Sequence, residues 1–163
     1  MHPAHSARDS YRILIVDDAP TVRESLRWLL EDESGLTVIG DVGNGDDAIQ
    51  MAVSLKPDLV LLDIELPDMD GFAVARRIKA MLNPPRIILL SMHNDAVSKK
   101  RGAEAGCDAF VGKEFGWGVL LPVLKTVPSF VLVVCALGFF TSARIAEQVR
   151  AGIQSLPRGQ RYA

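Results

Sequence analysis

The sequence predicts an α/β fold: a doubly wound, five-stranded parallel sheet carrying a C-terminal hydrophobic helical extension. Three observations predict it. Short apolar runs alternate five times with segments of helical spacing, the pattern of a parallel sheet covered on both faces. The central run, Leu59 to Leu62, is apolar without alternation, as a strand buried on both faces would be. Four runs end on Asp17-Asp18, Asp63, Ser91 and Lys113, and in a doubly wound sheet such ends lie along one edge.

Taken in order, Arg12 to Val16 reads as a buried first strand that runs into Asp17-Asp18. From Pro20 to Glu31, Val22, Leu26, Leu29 and Leu30 recur at helical spacing, and Pro20 suits a first turn. Gly35 breaks that helix and Leu36 to Gly40 follows as a second strand. Asp46-Asp47 put negative charge where a helix start favours it, before Ala48, Ile49, Ala52 and Val53. Pro57 closes this helix. The central strand then delivers Asp63, followed by the turn residues Pro67 and Asp70-Gly71. Phe72, Val74, Ala75, Ile78 and Leu82 mark a third helix, stopped by Asn83-Pro84-Pro85. Arg86 to Leu90 is a fourth strand that ends on Ser91. Asn94 to Ala105 is polar, with a weak stripe of Ala96, Val97 and Ala103, and Gly106 ends it. Asp108 to Val111 is the fifth strand. A last helix is expected from about Phe115 to Val127, with Val119, Leu120, Val123, Leu124 and Val127 inward. Pro122 is tolerable near its start and damaging further in.

Composition bounds the function. The 163 residues suit one domain plus an appendage, and 48% apolar with 23% charged residues is ordinary for a soluble globular protein. Cys107 and Cys135 show neither metal-ligand spacing nor a disulfide framework, so reduced thiols in a cytoplasmic protein are expected. His2 and His5 sit in an N-terminal arm, residues 1–10, which lacks a signal-peptide apolar core. Residues 1–113 carry 13 basic and 18 acidic side chains, whereas 114–163 carry 5 and 2. The acidic first part argues against nucleic-acid binding by that part.

Alone, Asp63 also reads as a cap on the loop after its strand. The other acids decide the matter. Three carboxylates at one sheet edge repel, and a cation among them is the economical remedy. Mg²⁺ is a hard ion that takes oxygen ligands and keeps waters for an incoming phosphate. A lysine supplies a second positive charge for phosphoryl oxygens, and a hydroxyl can donate to one of them. The pattern is that of a phosphoryl-transfer site with a carboxylate nucleophile.

Residues 11–127 resemble the receiver domain of two-component response regulators. The resemblance is carried by Asp17-Asp18, the segment Asp63-x-x-x-Pro67-x-Met69-Asp70-Gly71, Ser91 and Lys113, in that order at strand ends. It implies a flavodoxin-like fold and Mg²⁺-dependent transfer of phosphate to Asp63 from a sensor histidine kinase or phosphotransfer protein. It implies that Asp18 and Asp63 ligate the metal directly, with the Glu65 backbone carbonyl as a further ligand and Asp17 acting through water. Ser91 and Lys113 would hold phosphoryl oxygens, and Phe110, three residues before the lysine, takes the place of the family's switch aromatic. Ordinary core packing of Phe110 is compatible with that role. Glu65 and His93 flank the expected path of attacking water and would tune the lifetime of the phosphate, His93 pairing with Glu65 when protonated. One departure is clear: Glu114 follows Lys113 where many receivers have a cis proline, so a differently shaped loop is expected there.

After Val127 comes Phe130 to Phe140, a stretch without charge, and then Arg144, Arg150, Arg158 and Arg161. Residues 128–163 thus form a hydrophobic, then basic, extension. The 36 residues after Val127 are too few for a helix-turn-helix effector, and no basic recognition helix is visible. Three readings compete for this extension: a helix packed on its own receiver, a helix docked on a second subunit, and a membrane span. The run is short of the ~20 apolar residues a span needs and has arginines on the wrong side. The balance favours self-association through 128–145. The function expected is a receiver whose phosphorylation switches protein–protein interactions, self-catalysed rather than metabolic. The alternative is a truncated or rearranged transcriptional response regulator whose DNA-binding domain is missing. A haloacid-type phosphatase would need a second aspartate two residues after Asp63, where Glu65 stands.

Overall fold

The computed structural model describes residues 10–93, 95–113 and 117–126. Five strands, β1 (Tyr11–Val16), β2 (Leu36–Val42), β3 (Leu59–Asp63), β4 (Arg86–Ser91) and β5 (Ala109–Gly112), form one sheet. All neighbouring strands run parallel, in the order β2-β1-β3-β4-β5. The connecting helices are α1 (Pro20–Glu31), α2 (Gly45–Leu55), α3 (Gly71–Lys79) and α4 (Ala96–Glu104). A 3-10 turn, Trp117–Val119, leads into α5 (Leu120–Thr126). This is the flavodoxin-like arrangement expected from the sequence, with the chain reversing direction across the sheet between β1 and β3.

Parallel strands need crossover helices, and these cover both faces. On one face Leu26 and Leu30 of α1 and Leu120 and Leu124 of α5 bury Ile13, Ile15, Leu59, Leu61, Ile88 and Leu90. On the other, Ala48 and Ala52 of α2 and Phe72, Val74, Ala75 and Ile78 of α3 bury Leu14, Val16, Val60, Leu62, Ile87 and Leu89. Successive residues of β1, β3 and β4 thus serve opposite cores, so Ile13 to Val16, Leu59 to Leu62 and Ile87 to Leu90 show no polar alternation. Every residue of β3 is buried, Asp63 included.

Several elements differ from the sequence expectation. β2 continues to Val42, which brings Asp41 into a strand and next to β1. α3 ends at Lys79, because Met81 to Pro85 must return the chain to the start of β4; Leu82 is therefore 94% exposed rather than part of the buried stripe. In α4 the buried residue is Gly102, and Val97 faces solvent. Gly102 suits that contact, since a Cβ there would stand 2.8 Å from a methyl of Leu89. Val119 lies in the 3-10 turn and is partly exposed, not inward. Glu114, the arm 1–9, Val127 and the whole of 128–163 lie outside the described residues, with them the expected helical extension and its self-association surface. Among the described residues no helix is long and apolar enough to cross a membrane.

Candidate functional site

The strand ends bring the predicted acids together. β1 ends at Val16, and the next peptide N–H, that of Asp17, donates to the Val42 carbonyl at 3.1 Å, so β2 holds the chain where the acidic pair begins. Asp17 is fully buried. One of its oxygens accepts from the Ala19 N–H at 3.0 Å and the other from Lys113 Nζ at 2.6 Å. Asp63, at the end of β3, lies 3.1 Å from the same ammonium. Asp18 is exposed, and its carboxylate has no hydrogen-bond partner among the described residues. Carboxylate oxygens of Asp17, Asp18 and Asp63 lie within 4.8 Å of one another.

Such a cluster is costly as it stands. Burial pushes the Asp63 carboxyl up to about 6, the Lys113 charge pulls it back in part, and the Asp17 charge pushes the same way as burial. Burial opposes the Lys113 charge too, but its hydrogen bond to Asp17 and the charge of Asp63 outweigh that, so the lysine is held above its ordinary value. The donors on offer are all carboxylate oxygens, one of them solvent-facing, which fits a hard divalent cation that retains water and does not fit a thiolate- or imidazole-seeking metal.

The loop from β3 to α3 is pinned at three points. The Asp68 carboxylate accepts from the Gly45 and Asp46 N–H groups at 2.7 and 2.8 Å, filling donors that the start of α2 leaves unpaired and holding its own pKa below the usual range. The Asp70 carboxylate caps α3 by accepting from the Phe72 N–H at 3.0 Å, and Arg101 of α4 pairs with its other oxygen at 2.6 Å. Gly71 is required by close approach, since a Cβ there would overlap the Asp63 carbonyl oxygen. α3 therefore starts against the backbone of the residue at the centre of the cluster.

The remaining predicted residues are near but not all engaged. Ser91 is buried at the end of β4, next to the partner of Asp63 in the sheet. Its hydroxyl donates to the His93 carbonyl at 2.9 Å and accepts from the His93 N–H at 3.0 Å, so it faces its own loop rather than the acids. His93 Nε2 is 3.8 Å from a Glu65 carboxylate oxygen, both side chains being largely exposed. Phe110 is half-buried and packs against the cluster that contains Phe72 and Leu89. Sequence reasoning missed Asp68, Arg101 and the cations of α1: Arg23 and Arg27 both bind Asp41 on β2, and Arg23 also reaches the Asp17 carbonyl. Their spacing carries no signal, because each acts on a partner that only the fold brings close.

A family model described as the response regulator receiver domain matches residues 13–125. A transcriptional regulatory protein from Bacillus subtilis, YdfI, is 36% identical over 103 residues, covering 63% of this chain and 48% of that protein. A protein-glutamate methylesterase/protein-glutamine glutaminase from Methanospirillum hungatei is 38% identical over 109 residues, 66% of this chain and 31% of that one. Among solved structures, the BeF3-activated N-terminal receiver domain of RstA from Klebsiella pneumoniae superposes with a TM-score of 0.65 at 29% identity, covering 71% of this chain and 97% of that chain. A chain of the CheX-CheY-BeF3-Mg+2 complex from Borrelia burgdorferi gives 0.68 at 25% identity, covering 72% and 88%. The chain spans about half or less of the length of these two curated relatives.

Proposed function

The chain belongs to the response regulator receiver family, and from that premise we propose that it is a phosphoacceptor in which Asp63 takes a phosphoryl group from a phosphohistidine of a sensor kinase or phosphotransfer protein. The observation that supports the reading best is the buried Asp63 carboxylate set among two further acids and one ammonium at the carboxyl ends of β1, β3 and β5.

In the transfer, an Asp63 oxygen forms a bond to phosphorus as the P–N bond to the donor imidazole breaks. The imidazole nitrogen leaves with the electron pair and takes up a proton, and Asp63 becomes an acyl phosphate. Asp18, Asp63 and the Glu65 carbonyl would hold Mg²⁺, with Asp17 acting through water, and the bound ion would supply positive charge for the phosphoryl oxygens. Lys113 has a flexible stem and lies 3.1 Å from Asp63, so its ammonium can follow the charge from the carboxylate to a phosphoryl oxygen. Ser91 can turn its hydroxyl from the His93 backbone to a phosphoryl oxygen, which frees the His93 loop ahead of α4. Space left by that movement is what Phe110 would turn into. Residues 11–127 make up this unit, 1–10 an arm, and 128–163 an extension that associates with a second subunit.

The output is a change in protein–protein affinity. A regulator of transcription is the second reading, favoured by the similarity to the transcriptional regulatory protein of Bacillus subtilis. Retardation of DNA at moderate salt, before and after phosphorylation, separates the two, because specific binding would favour the second. The phosphoacceptor reading is tested with a small acyl phosphate donor and Mg²⁺. One acid-stable, base-labile phosphate per chain is expected, absent from Asp63→Asn. Equal labelling of that variant would overturn the assignment.

A further inference from the structure

We propose that Arg23 is a positioning residue for the metal site, a guanidinium brace that ties the backbone carbonyls of Asp17 and Asp18 to the Asp41 carboxylate of β2. The inference rests on the reading of the site as a Mg²⁺-dependent phosphoacceptor. Arg23 lies one turn into α1, and its Nη1 donates to the Asp17 carbonyl at 2.7 Å and to the Asp18 carbonyl at 3.3 Å. Its Nε donates to Asp41 at 3.0 Å. The second oxygen of Asp41 is taken by Arg27, so the anchor cannot swing away. The Arg27 hydrogen bond, with Arg23 behind it, holds the Asp41 carboxyl below its usual range.

Two further features fit the brace. Gly43 lies beside it, and a Cβ there would stand 3.2 Å from Nη1, so a side chain at this position would press on the guanidinium by a few tenths of an ångström. The Asp18 carboxylate, in turn, has no hydrogen-bond partner among the described residues. What orients Asp18 is therefore its backbone, and its carbonyl is one of the two that Arg23 holds. A guanidinium can do this because its five N–H groups diverge in a rigid fork; an ammonium on one atom cannot reach Asp41 and both carbonyls at once.

Charge and geometry predict opposite effects on Mg²⁺. A positive group beneath the acids repels the cation, so on charge alone its loss would tighten binding. A brace that orders one direct ligand, Asp18, and Asp17, which acts through water, predicts weaker binding when it is lost. Arg23→Lys separates these, since the charge stays and the fork goes.

The experiment is calorimetric Mg²⁺ titration of the full chain, its Arg23→Lys and Asp41→Asn variants and the double variant, with urea unfolding in EDTA measured alongside. Arg23→Lys is expected to raise the Mg²⁺ Kd about tenfold, the lower end for residues that orient metal ligands. Asp41→Asn should move it the same way, and the double variant should be no weaker than the weaker single variant within about twofold, as for two members of one contact. Affinities within about twofold of the parent, or tighter, in folded variants would overturn the brace, as would a fall in the urea midpoint with Kd unchanged, the mark of a merely structural role. Should Arg23→Lys not fold, Arg23→Gln decides: charge alone predicts tighter Mg²⁺ binding there and loss of the brace weaker binding, so a Kd unchanged or lower overturns the brace. Failure of the parent itself to bind Mg²⁺ would overturn the phosphoacceptor reading together with this one, whereas equal binding by parent and variants overturns this one alone.

Discussion

Asp63→Asn should stabilise the metal-free protein at neutral pH while removing its function. The Asp63 carboxyl is pushed from 3.8 to about 6, burial being the largest cause. The sign follows from proton uptake: between about pH 4 and 6 the folded chain keeps a proton that the unfolded chain has released. Stability is therefore lost as pH rises through that window, and it is level above it. A displacement of about two units corresponds to about 3 kcal/mol, and asparagine, a neutral near-isostere, mimics the protonated form at every pH. The variant should exceed the parent by about 2–3 kcal/mol at pH 7 to 8 and converge on it near pH 4. Urea unfolding in EDTA at unit steps of pH measures this. Added Mg²⁺ at ten to a hundred times its Kd should return about 1.4–2.7 kcal/mol to the parent and much less to the variant, narrowing the gap. A variant less stable than the parent at pH 8 in EDTA would refute the reasoning, because Lys113 would then more than offset the burial of a charged Asp63.

Lys113→Met should act in the opposite direction. It leaves the buried Asp17 carboxylate without its 2.6 Å partner and should cost about 3–5 kcal/mol in EDTA near pH 7; a loss under about 1 kcal/mol would show that water or Arg23 already compensates the acids. Gly71→Ala should destabilise by about 1–3 kcal/mol, as overpacking does, and slow labelling of Asp63, since the new methyl meets the Asp63 carbonyl rather than a side chain that could yield. Exchanging both Glu65 and His93 for alanine should change the rate of phosphate loss and its dependence between pH 6 and 8. Their contact is 3.8 Å and largely exposed, so the urea midpoint should stay where it is.

How much of this was legible in the sequence depends on the range of each interaction. The strands were readable because Ile13 to Val16, Leu59 to Leu62 and Ile87 to Leu90 are buried on both faces and so leave unbroken apolar runs. Asp17, Asp18, Asp63 and Lys113 were readable as a group because one rule, that parallel strands present their carboxyl ends at one edge, collects residues far apart in the chain. Leu82 was misread because apolar spacing continues past Lys79, while the helix has to stop for the return to β4. The direction of the Ser91 hydroxyl was not legible: a rotamer chosen by the His93 backbone leaves no mark on sequence spacing. Arg23 and Asp41 escaped for a related reason. A short acid in a strand and a basic residue on a helix each look like solvated surface until α1 is laid beside β2.

The two cations at the acid cluster are not interchangeable, and the difference bears on how the site can switch. Lys113 is a point charge on a flexible stem, bonded to Asp17 and 3.1 Å from Asp63, so its position is set by where negative charge lies. Moving charge from a carboxylate to a phosphoryl group would draw it along without reordering the backbone. Arg23 is a planar fork whose bonds go to two carbonyls and one carboxylate, none of which changes charge in the proposed transfer. It would keep its place before and after. In the proposed transfer one cation would thus track the reaction and the other hold the frame, a division that suits a lysine inside a cluster whose buried pairs would otherwise favour arginine. Arginine at 113 would bind Asp17 and Asp63 bidentately and resist release, so Lys113→Arg should hold the metal-free fold firmly yet slow labelling of Asp63. Labelling as fast as the parent's would mean that Lys113 need not move at all.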